Sequence, residues 1–407
     1  MEYFHFNQYS SILLIGWLQG MIFAVMLWLR SYRWDRIADR FAALLIFVCC
    51  TYVAQWMLGF ANWYDARNWQ ATVMFYVPWS NFLVMGPLVY FTFISLTNTQ
   101  FEWKKKYWWH FVPFLFFFLE PLGVFLHDFV WEKWIQGMPF PEEHFSGTRG
   151  SWAEFLNTET VPLFRYINIA SRLHLLAYLV LTIIAFNQYR QYVREHFANE
   201  ERYSLNWLRM LLFVFVIGIG MSWLINIVGY FTPINYTGSW YGHFAMAVTI
   251  YILSIRLYMS SPDRLRALHF EPKPVQESLV SSTPEARTAL EPDDETLMLS
   301  EQMVAMMETN QLYLDPELNL GSLAEKLHTN TSVLSKVINV TQEQNFNDFI
   351  NSYRSREVMR RLENGDHERL TFLSIAIEAG FNSKATFNRA FKKYTGKTPR
   401  QFISVPA

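Results

Sequence analysis

Charge is scarce over the first 260 positions of this chain of 407 residues, tryptophan is absent after them, and cysteine is rare throughout. The only two cysteines are the neighbours Cys49 and Cys50 in an apolar run, which excludes a disulfide-stapled secreted domain. Hydrophobic residues make up 52% of the chain and charged residues only 17%. This composition excludes a disordered chain and a single soluble domain.

The two parts of the chain differ in charge. Residues 1–260 contain 17 Lys and Arg with 15 Asp and Glu. The shorter stretch of residues 261–407 contains 17 Lys and Arg with 20 Asp and Glu. All 16 tryptophans lie in the first part. The net charge of −1 is therefore a mean over two unlike regions, and we predict an all-α protein with a transmembrane domain over residues 1–259, a linker over 260–295 and a soluble domain over 296–407.

Seven apolar runs in the first part have the length of about 20 residues that a helix needs to cross a membrane. They predict a seven-helix transmembrane bundle. The runs cover Ser11–Leu29, Phe41–Phe60, Val73–Leu96, Trp108–His127, Tyr166–Phe186, Trp207–Tyr230 and Trp240–Tyr258.

Basic residues cluster in alternate loops, and such loops are retained on the cytoplasmic side. This alternation predicts a membrane protein with its N-terminus outside and everything after residue 260 in the cytoplasm. No basic region precedes the first run, so a cleaved signal peptide is not expected. The clusters are Arg30, Arg33, Arg36 and Arg40, then Lys104, Lys105 and Lys106, then Arg190, Arg194 and Arg202, and finally Arg264 and Arg266.

Every run carries a polar residue in the half predicted to face outward. Two interpretations stay open: a pocket for a signal ligand, or hydrogen bonding between packed helices. In the first, Glu120 and Arg172 pair with each other. The residues are Gln19, Gln55, Asn81, Glu120, Arg172, Asn226 and His243.

No catalytic signature accompanies these residues. Four of the histidines in the first part, His110, His127, His174 and His243, share no HxxxH or HExxH spacing. Patterns of the GxSxG, CxxC and phosphate-binding Gly-rich types are absent as well. We therefore expect no enzyme, no metal and no cofactor.

Residues 260–295 contain five prolines among Ser, Glu and Arg without apolar periodicity, which is typical of a flexible linker. A Met-rich amphipathic stretch, Thr296–Asn310, follows it. Two similar blocks come next, residues 320–341 and 373–396. Leu323-Ala324 matches Ile375-Ala376 at an offset of 52, and later positions match at 53, so one extra turn residue separates the blocks.

Each block predicts a short helix, a tight turn and a second helix, with a small alanine where the helices cross. In the second block Gly380 supplies the turn, and Thr331 and Ser383 are good N-cap types. The segment Asn345–Glu363 predicts a long helix that holds the two units in fixed relation. Periodicity places Val333, Leu334, Val337 and Ile338 of the first block inward, as well as Phe387, Ala390 and Phe391 of the second.

The module resembles the C-terminal DNA-binding domain of the AraC/XylS family of bacterial transcription regulators over about residues 297–404. The resemblance is carried by Leu320, Leu323-Ala324, Leu334-Ser335, Ile338-Asn339, Asn345-Phe346, Phe349-Ile350-Asn351, Arg354, Ile375-Ala376, Gly380-Phe381-Asn382-Ser383, Phe387, Phe391-Lys392, Thr395-Gly396 and Thr398-Pro399. It implies a double helix-turn-helix module that places both recognition helices in the DNA major groove. The first 260 residues are similar to the membrane-spanning variants of this family.

The resemblance places Ser332, Lys336, Ala385 and Arg389 at base-facing positions. Arg389 is the strongest candidate, because a guanidinium can bind a guanine edge through two hydrogen bonds. Residues 351–407 contain 11 Lys and Arg against 5 Asp and Glu, which favours phosphate binding. The predicted DNA contacts are Ser332, Ser335, Lys336, Asn339, Lys384, Ala385, Asn388, Arg389 and Lys392.

The sequence thus predicts a membrane-bound one-component regulator that senses an extracytoplasmic or membrane signal and binds promoter DNA. Expected partners are double-stranded promoter DNA, RNA polymerase, membrane lipid, an unidentified signal ligand and a second copy of the chain. Two alternatives stay open for the bundle: a membrane enzyme or transporter that reports its flux to the DNA-binding module, or a simple anchor. Neither the ligand, the promoters nor the sign of the output follows from the sequence.

Overall fold

The computed structural model describes residues 5–63, 73–74, 77, 79, 81–139, 163–203, 205–232, 236–259, 268–272 and 293–403. The described residues form helices joined by loops, with two isolated β-bridges. They divide into two compact units, Met1–Ile184 with Asn206–Glu271 and Ala185–Leu205 with Pro272–Ala407.

The helices of the apolar part follow the predicted runs. In chain order they are α1 (Gln8–Trp34), α2 (Ile37–Phe60), α3 (Phe82–Thr97), a 3-10 helix (Lys105–Phe111), α4 (Val112–Phe125), a π-helix (Leu126–Ile135), α5 (Leu163–His196), α6 (Glu200–Tyr203), α7 (Asn206–Phe231) and α8 (Tyr236–Met259).

Six helical stretches among the described residues are long and apolar enough to cross a membrane. The third predicted run differs, because its described helix, α3, has only 16 residues. Val77 forms a bend, and Trp79 and Asn81 are not helical. Val77 precedes a proline in the sequence, a position that disfavours helical backbone. A continuous helix from Val73 to Leu96 is therefore wrong.

Glycines let α1 pack closely against α8 and α2. A Cβ atom added to Gly16 would lie 2.9 Å from the Ala247 Cβ and 3.0 Å from its carbonyl oxygen. One added to Gly20 would lie 2.6 Å from the Cys50 Sγ. Small residues four apart on one helix face are a common means of close approach between membrane helices.

Substituting Gly16 by alanine should therefore loosen the bundle. We expect Gly16→Ala to cost about 1–2 kcal/mol, because the neighbouring backbone cannot yield without a shift. Gly220→Ala is the matched control, since nothing lies within 4 Å of that added Cβ. Thermal unfolding of the full chain in detergent measures both, and equal midpoints for the two variants would contradict this packing.

A buried ion pair joins the end of α1 to the start of α2 and the end of α8. The Arg30 guanidinium donates to both carboxylate oxygens of Asp39, at 2.7 and 2.8 Å, and to the carbonyls of Leu257 and Tyr258. Asp39 is only 1% exposed. The predicted basic loop between α1 and α2 thus lies at the same end of the bundle as the C-terminus of α8.

Part of the predicted linker lies at that end, where the α1–α2 loop and the chain after α3 line one cavity. Residues 268–270 pair with the chain just after α3: Asn98 and His269 form an antiparallel bridge, and the Thr99 amide donates to the Leu268 carbonyl at 3.0 Å. Leu268 and Phe270 are buried. Apolar side chains therefore hold residues 268–270 of a segment that its prolines predict to be flexible; residues 260–267 and 273–292 lie outside the described residues.

The second unit contains the predicted soluble module. Its helices are α9 (Asp294–Asn310), a 3-10 helix (Leu312–Leu314), α10 (Leu320–Lys326), α11 (Thr331–Thr341), α12 (Phe346–Glu363), a 3-10 helix (Asp366–Glu368), α13 (Phe372–Glu378), α14 (Lys384–Thr395) and α15 (Pro399–Ile403). The Met-rich helix α9 starts two residues before the predicted Thr296, because the Asp293 side chain caps it by accepting from the Thr296 amide.

Two hydrophobic cores lie along one helix. Phe346, Phe349 and Ile350 from the first half of α12 pack in a core with α9, α10 and α11. Val358 and Leu362 from its second half pack in another core with α13 and α14. The long helix therefore belongs to both helix-turn-helix units, as the sequence predicts.

Candidate DNA-binding surface

The first helix-turn-helix unit consists of α10 and α11. The Asn319 side chain accepts from the Ser322 amide and starts α10, and Asn330 accepts from the Val333 amide at 2.9 Å and starts α11. The N-cap is thus Asn330, one residue before the predicted Thr331. Between the helices the Thr329 amide donates to the Ala324 carbonyl at 2.9 Å, which closes the turn.

The second unit, α13 and α14, repeats this geometry. The Phe381 amide donates to the Ala376 carbonyl at 2.9 Å, which is the first unit's turn bond at the predicted offset of 52. Ser383 caps α14 by accepting from the Thr386 amide at 3.1 Å. The caps Asn330 and Ser383 are 53 apart, so the extra residue lies between turn and cap. Gly380, at φ +92, supplies the left-handed residue as predicted.

The two helix-turn-helix units are held together through the buried Arg354 of α12. Its guanidinium donates to the carbonyls of Tyr313 and Asp315, at 2.7 and 2.8 Å. Burial lowers the pKa of Arg354 to about 10, although the carboxylates of Asp315 and Glu317 raise it, so the side chain stays charged at neutral pH.

Gly380 of the second helix-turn-helix unit lies against the hydrogen bond between Arg354 and the Tyr313 carbonyl. A Cβ atom there would lie 2.5 Å from the Tyr313 oxygen and 2.9 Å from the Arg354 Nε. Asn382 adds a hydrogen bond from its side chain to the Pro316 carbonyl at 2.9 Å. The turn of the second unit is thereby fixed against the segment that precedes the first.

The helix faces predicted to contact DNA are largely exposed to solvent. On α11 Ser332, Lys336 and Asn339 are exposed and Ser335 is half-buried, and the Asn339 side chain approaches the Ser335 hydroxyl at 3.5 Å. Leu334, Val337 and Ile338 are buried as predicted. Val333 is 41% exposed, so its predicted inward position is wrong. It lies in the first turn of α11.

On α14 the predicted outward residues are all exposed, and Phe387 and Phe391 are buried. Ala390 is half-buried. A groove of 430 Å³ runs beside this helix, and four of its lining residues are basic. These are Lys384, Arg389, Lys392 and Arg400. Such a set supplies both base-edge and phosphate donors.

Two basic side chains of α14 form ion pairs. Lys393 contacts Asp348 of α12 at 2.7 Å, which braces the recognition helix. Arg389, the strongest predicted base reader, contacts Glu200 of α6 at 3.1 Å. The Arg389 side chain is 57% exposed and Glu200 is 15% exposed. Sequence reasoning did not predict this partner, which lies 189 positions away.

The residues predicted for a ligand pocket take separate places. The Gln19 amide donates to the Ser254 hydroxyl at 2.8 Å, and its buried Oε1 has no partner among the described residues. The buried His243 ring stacks between Tyr52 and Trp56. Hydrogen bonds between described residues join none of Gln19, Gln55 and His243 to one another.

The other members of that set add no shared site. Gln55 and Arg172 are half-buried on α2 and α5, and Asn81 precedes α3. The side chains of Glu120 and Asn226 lie outside the described part of the structure, and so does the predicted Glu120–Arg172 pair.

The packing of α1 on α8 also fixes relative depth. Tyr9 contacts Trp240 and Gly16 meets Ala247, so the two helices run parallel with an offset of 231. Gln19 is then level with Ile250, seven residues beyond His243. At 1.5 Å per residue the two polar groups lie about 10 Å apart along the bundle.

The π-helix places three potential metal ligands together. One ligand atom each from His127, Asp128 and Glu132 lies within 4.8 Å of the others, and the His127 Nδ1 is 3.0 Å from the Asp128 carboxylate. A π-helix brings residues five apart onto one face, so no α-helical spacing reveals His127 with Glu132. Buried Asp128 is stabilised by this histidine.

Comparisons with known proteins match limited parts of this chain. Residues 323–404 match the family described as helix-turn-helix domain. An uncharacterised HTH-type transcriptional regulator of Staphylococcus aureus (strain COL) is 33% identical over 92 residues, which are 23% of this chain and 12% of the relative. Its counterpart in strain MSSA476 matches equally.

The Msm operon regulatory protein of Streptococcus mutans serotype c is 29% identical over 85 residues, 21% of this chain and 30% of that protein. No solved structure matches. The chain therefore spans a small fraction of the length of the relatives it matches. The C-terminal module is a helix-turn-helix domain, similar to parts of proteins named as transcriptional regulators.

Proposed function

We propose that this chain is a bacterial one-component transcription regulator that is embedded in the cytoplasmic membrane and binds promoter DNA in a sequence-specific way. The observation that carries the proposal is the repeated unit: two helix-turn-helix pairs with the same turn bond at an offset of 52 and open polar faces on α11 and α14. The match of residues 323–404 to helix-turn-helix domains supports it.

In the proposed complex α11 and α14 enter successive segments of the major groove. Arg389 and Lys336 read base edges, together with Ser332 and Ala385, and the remaining exposed polar side chains bind phosphates. The shared helix α12 fixes the spacing of the two readers, so a single chain recognises two adjacent sites. RNA polymerase is the expected partner at the promoter.

For the apolar part we propose a membrane bundle whose basic loops face the cytoplasm. Six long apolar helices support it, as does the meeting of the α1–α2 loop, the chain after α3 and the end of α8 at one end of the bundle. An extracytoplasmic or membrane signal shifts the bundle between two packings, and the signal drives this shift by binding one packing better.

Selection of DNA by the full chain tests the proposal. The chain in nanodiscs is incubated with a random duplex library, and bound sequences are amplified. We expect a defined motif, with binding that weakens steeply as salt rises, since six to ten phosphate contacts lose about 10³–10⁵ in affinity between 50 and 200 mM salt. Recovery of unselected sequence at low salt would contradict specific recognition.

Replacing the bundle tests sensing separately. A chain that keeps residues 185–205 with the DNA-binding unit, but whose bundle is replaced by unrelated membrane spans, one before residue 185 and two after residue 205, should bind its promoters with constant output. Retained condition-dependent expression would identify the bundle as an anchor. Chromatin immunoprecipitation with sequencing of the natural chain identifies the promoters to be monitored.

A further inference from the structure

The segment Phe197–Tyr203 joins two predicted membrane helices and yet packs within the DNA-binding unit. It follows the end of α5 and precedes α7, and contains the short helix α6. Residues 185–205 form one compact unit with residues 272–407. We call this segment the clasp.

The backbone of the clasp is bonded to the first helix-turn-helix unit. Phe197 and Asn319 form an antiparallel bridge, and the Ala198 amide donates to the Leu318 carbonyl at 3.4 Å. The Asn347 side chain of α12 donates to the carbonyls of both Phe197 and Ala198, at 3.0 and 2.8 Å. A loop that only connected two membrane helices would satisfy these groups with water.

Apolar contacts reinforce the clasp. Ala198 is fully buried and belongs to the same core as Met303, Met307 and Leu320. Phe197 is 4% exposed and packs against the Tyr203 ring, with 4.0 Å between ring centroids. The first unit therefore completes its core with a side chain from the clasp.

The charged end of the clasp reaches the second unit. Its Glu200 carboxylate lies 3.1 Å from the guanidinium of Arg389 and 3.4 Å from that of Arg194. The contact engages one nitrogen of the Arg389 guanidinium, Nη2, and this nitrogen is then not free to complete the two-pronged contact that a guanine edge requires. Glu200 thus occupies the proposed base reader.

We propose that the clasp is an autoinhibitory contact that lowers the DNA affinity of the module until the membrane bundle releases it. This inference rests on the proposed DNA-binding function. In the closed state Asn347 holds the backbone of the clasp and Glu200 neutralises Arg389. Because the clasp is continuous in the chain with α5 and α7, a movement of either helix strains the same bonds.

Neutralising Glu200 tests the electrostatic part. The full chain in nanodiscs of zwitterionic lipid is titrated with a duplex selected from a random library by the Glu200→Gln variant. We expect Glu200→Gln to bind about two- to fivefold more tightly than the natural chain, the range given by partly exposed ion pairs. Glu195→Gln, which removes the same charge from a residue that accepts a hydrogen bond from Gln191 four positions earlier, should bind like the natural chain.

Locking the clasp tests the mechanical part. The Cα atoms of antiparallel partners lie about 4.5–5.5 Å apart, within the range of disulfides, so a Phe197→Cys, Asn319→Cys double variant should cross-link on oxidation. We expect oxidation to weaken DNA binding at least tenfold and reduction to restore it, whereas either single variant should not respond. Both natural cysteines are buried in α2.

The outcomes separate the two hypotheses. If no variant selects a DNA motif, the proposed function is wrong. If the natural chain selects a motif with the same affinity as Glu200→Gln, and the oxidised lock binds equally well, the module binds DNA and the autoinhibitory clasp is refuted.

Discussion

Arg389→Ala should abolish specific DNA binding by the full chain while leaving its helical content unchanged. The side chain is more than half exposed on α14, so its removal costs little packing. A bidentate contact between arginine and guanine contributes about 1–3 kcal/mol of discrimination, which corresponds to roughly five- to 150-fold in Kd. Fluorescence anisotropy with the selected duplex and with a scrambled duplex measures this loss.

Arg389→Lys separates charge from geometry. Lysine keeps the positive charge but lacks the fork that fits a guanine edge, so we expect specificity to fall while salt-dependent binding to scrambled DNA is retained. Arg360→Ala is the control, because Arg360 is exposed on α12 and pairs with Glu357 at 2.7 Å. If Arg389→Ala and Arg360→Ala bind the selected duplex equally, Arg389 does not read DNA.

The proposed clasp predicts different results for substitutions at Arg389 and at Glu200. Arg389→Ala removes both the partner of Glu200 and the proposed base contact, so we expect it to weaken the clasp and also to abolish selection of the motif. Glu200→Gln weakens the same ion pair and keeps the reader. Arg389→Ala should lower the DNA affinity and Glu200→Gln should raise it. These opposite changes are expected only when Arg389 contacts Glu200 in the closed clasp and DNA in the complex.

The module was predictable from sequence because its determinants are local and occur twice. The small Ala324 and Ala376, the turn residue Gly380 and the cap Ser383 each act within a few positions of the turn they form. A repeat with an offset of 52 then checks one unit against the other. The error at Val333 arises where periodicity is weakest, in the first turn of a short helix.

The clasp was not predictable by the same reasoning. Glu200 and Arg389 lie in different parts of the chain, and each looks like an ordinary solvated charge on a helix. The sequence offers one weak signal: Phe197-Ala198 places apolar residues where a short basic loop between two membrane helices needs none. Similarly, the closeness of His127 to Glu132 depends on a π-helix, whose spacing differs from that of an α-helix.

A substitution at Gly380 tests how far the stability of the second helix-turn-helix unit depends on its packing against the segment around Tyr313. Two effects act at this position: a left-handed conformation, which costs a residue with a Cβ about 1–2 kcal/mol, and a contact at 2.5 Å with the backbone oxygen of Tyr313. Backbone cannot move aside as a flexible side chain does, so overpacking adds about 1–3 kcal/mol. We expect Gly380→Ala to destabilise the unit by about 2–5 kcal/mol in total.

Gly396→Ala isolates the conformational part. Gly396 has φ +73 and caps α14, and nothing lies within 4 Å of its added Cβ, so it should lose only about 1–2 kcal/mol. Hydrogen exchange of the α13 and α14 amides in the full chain reports the opening free energy of each variant. Equal losses would mean that the segment around Tyr313 yields without cost. A larger loss of opening free energy for Gly380→Ala would mean that the contact between Gly380, Tyr313 and Arg354 fixes α14 relative to α11.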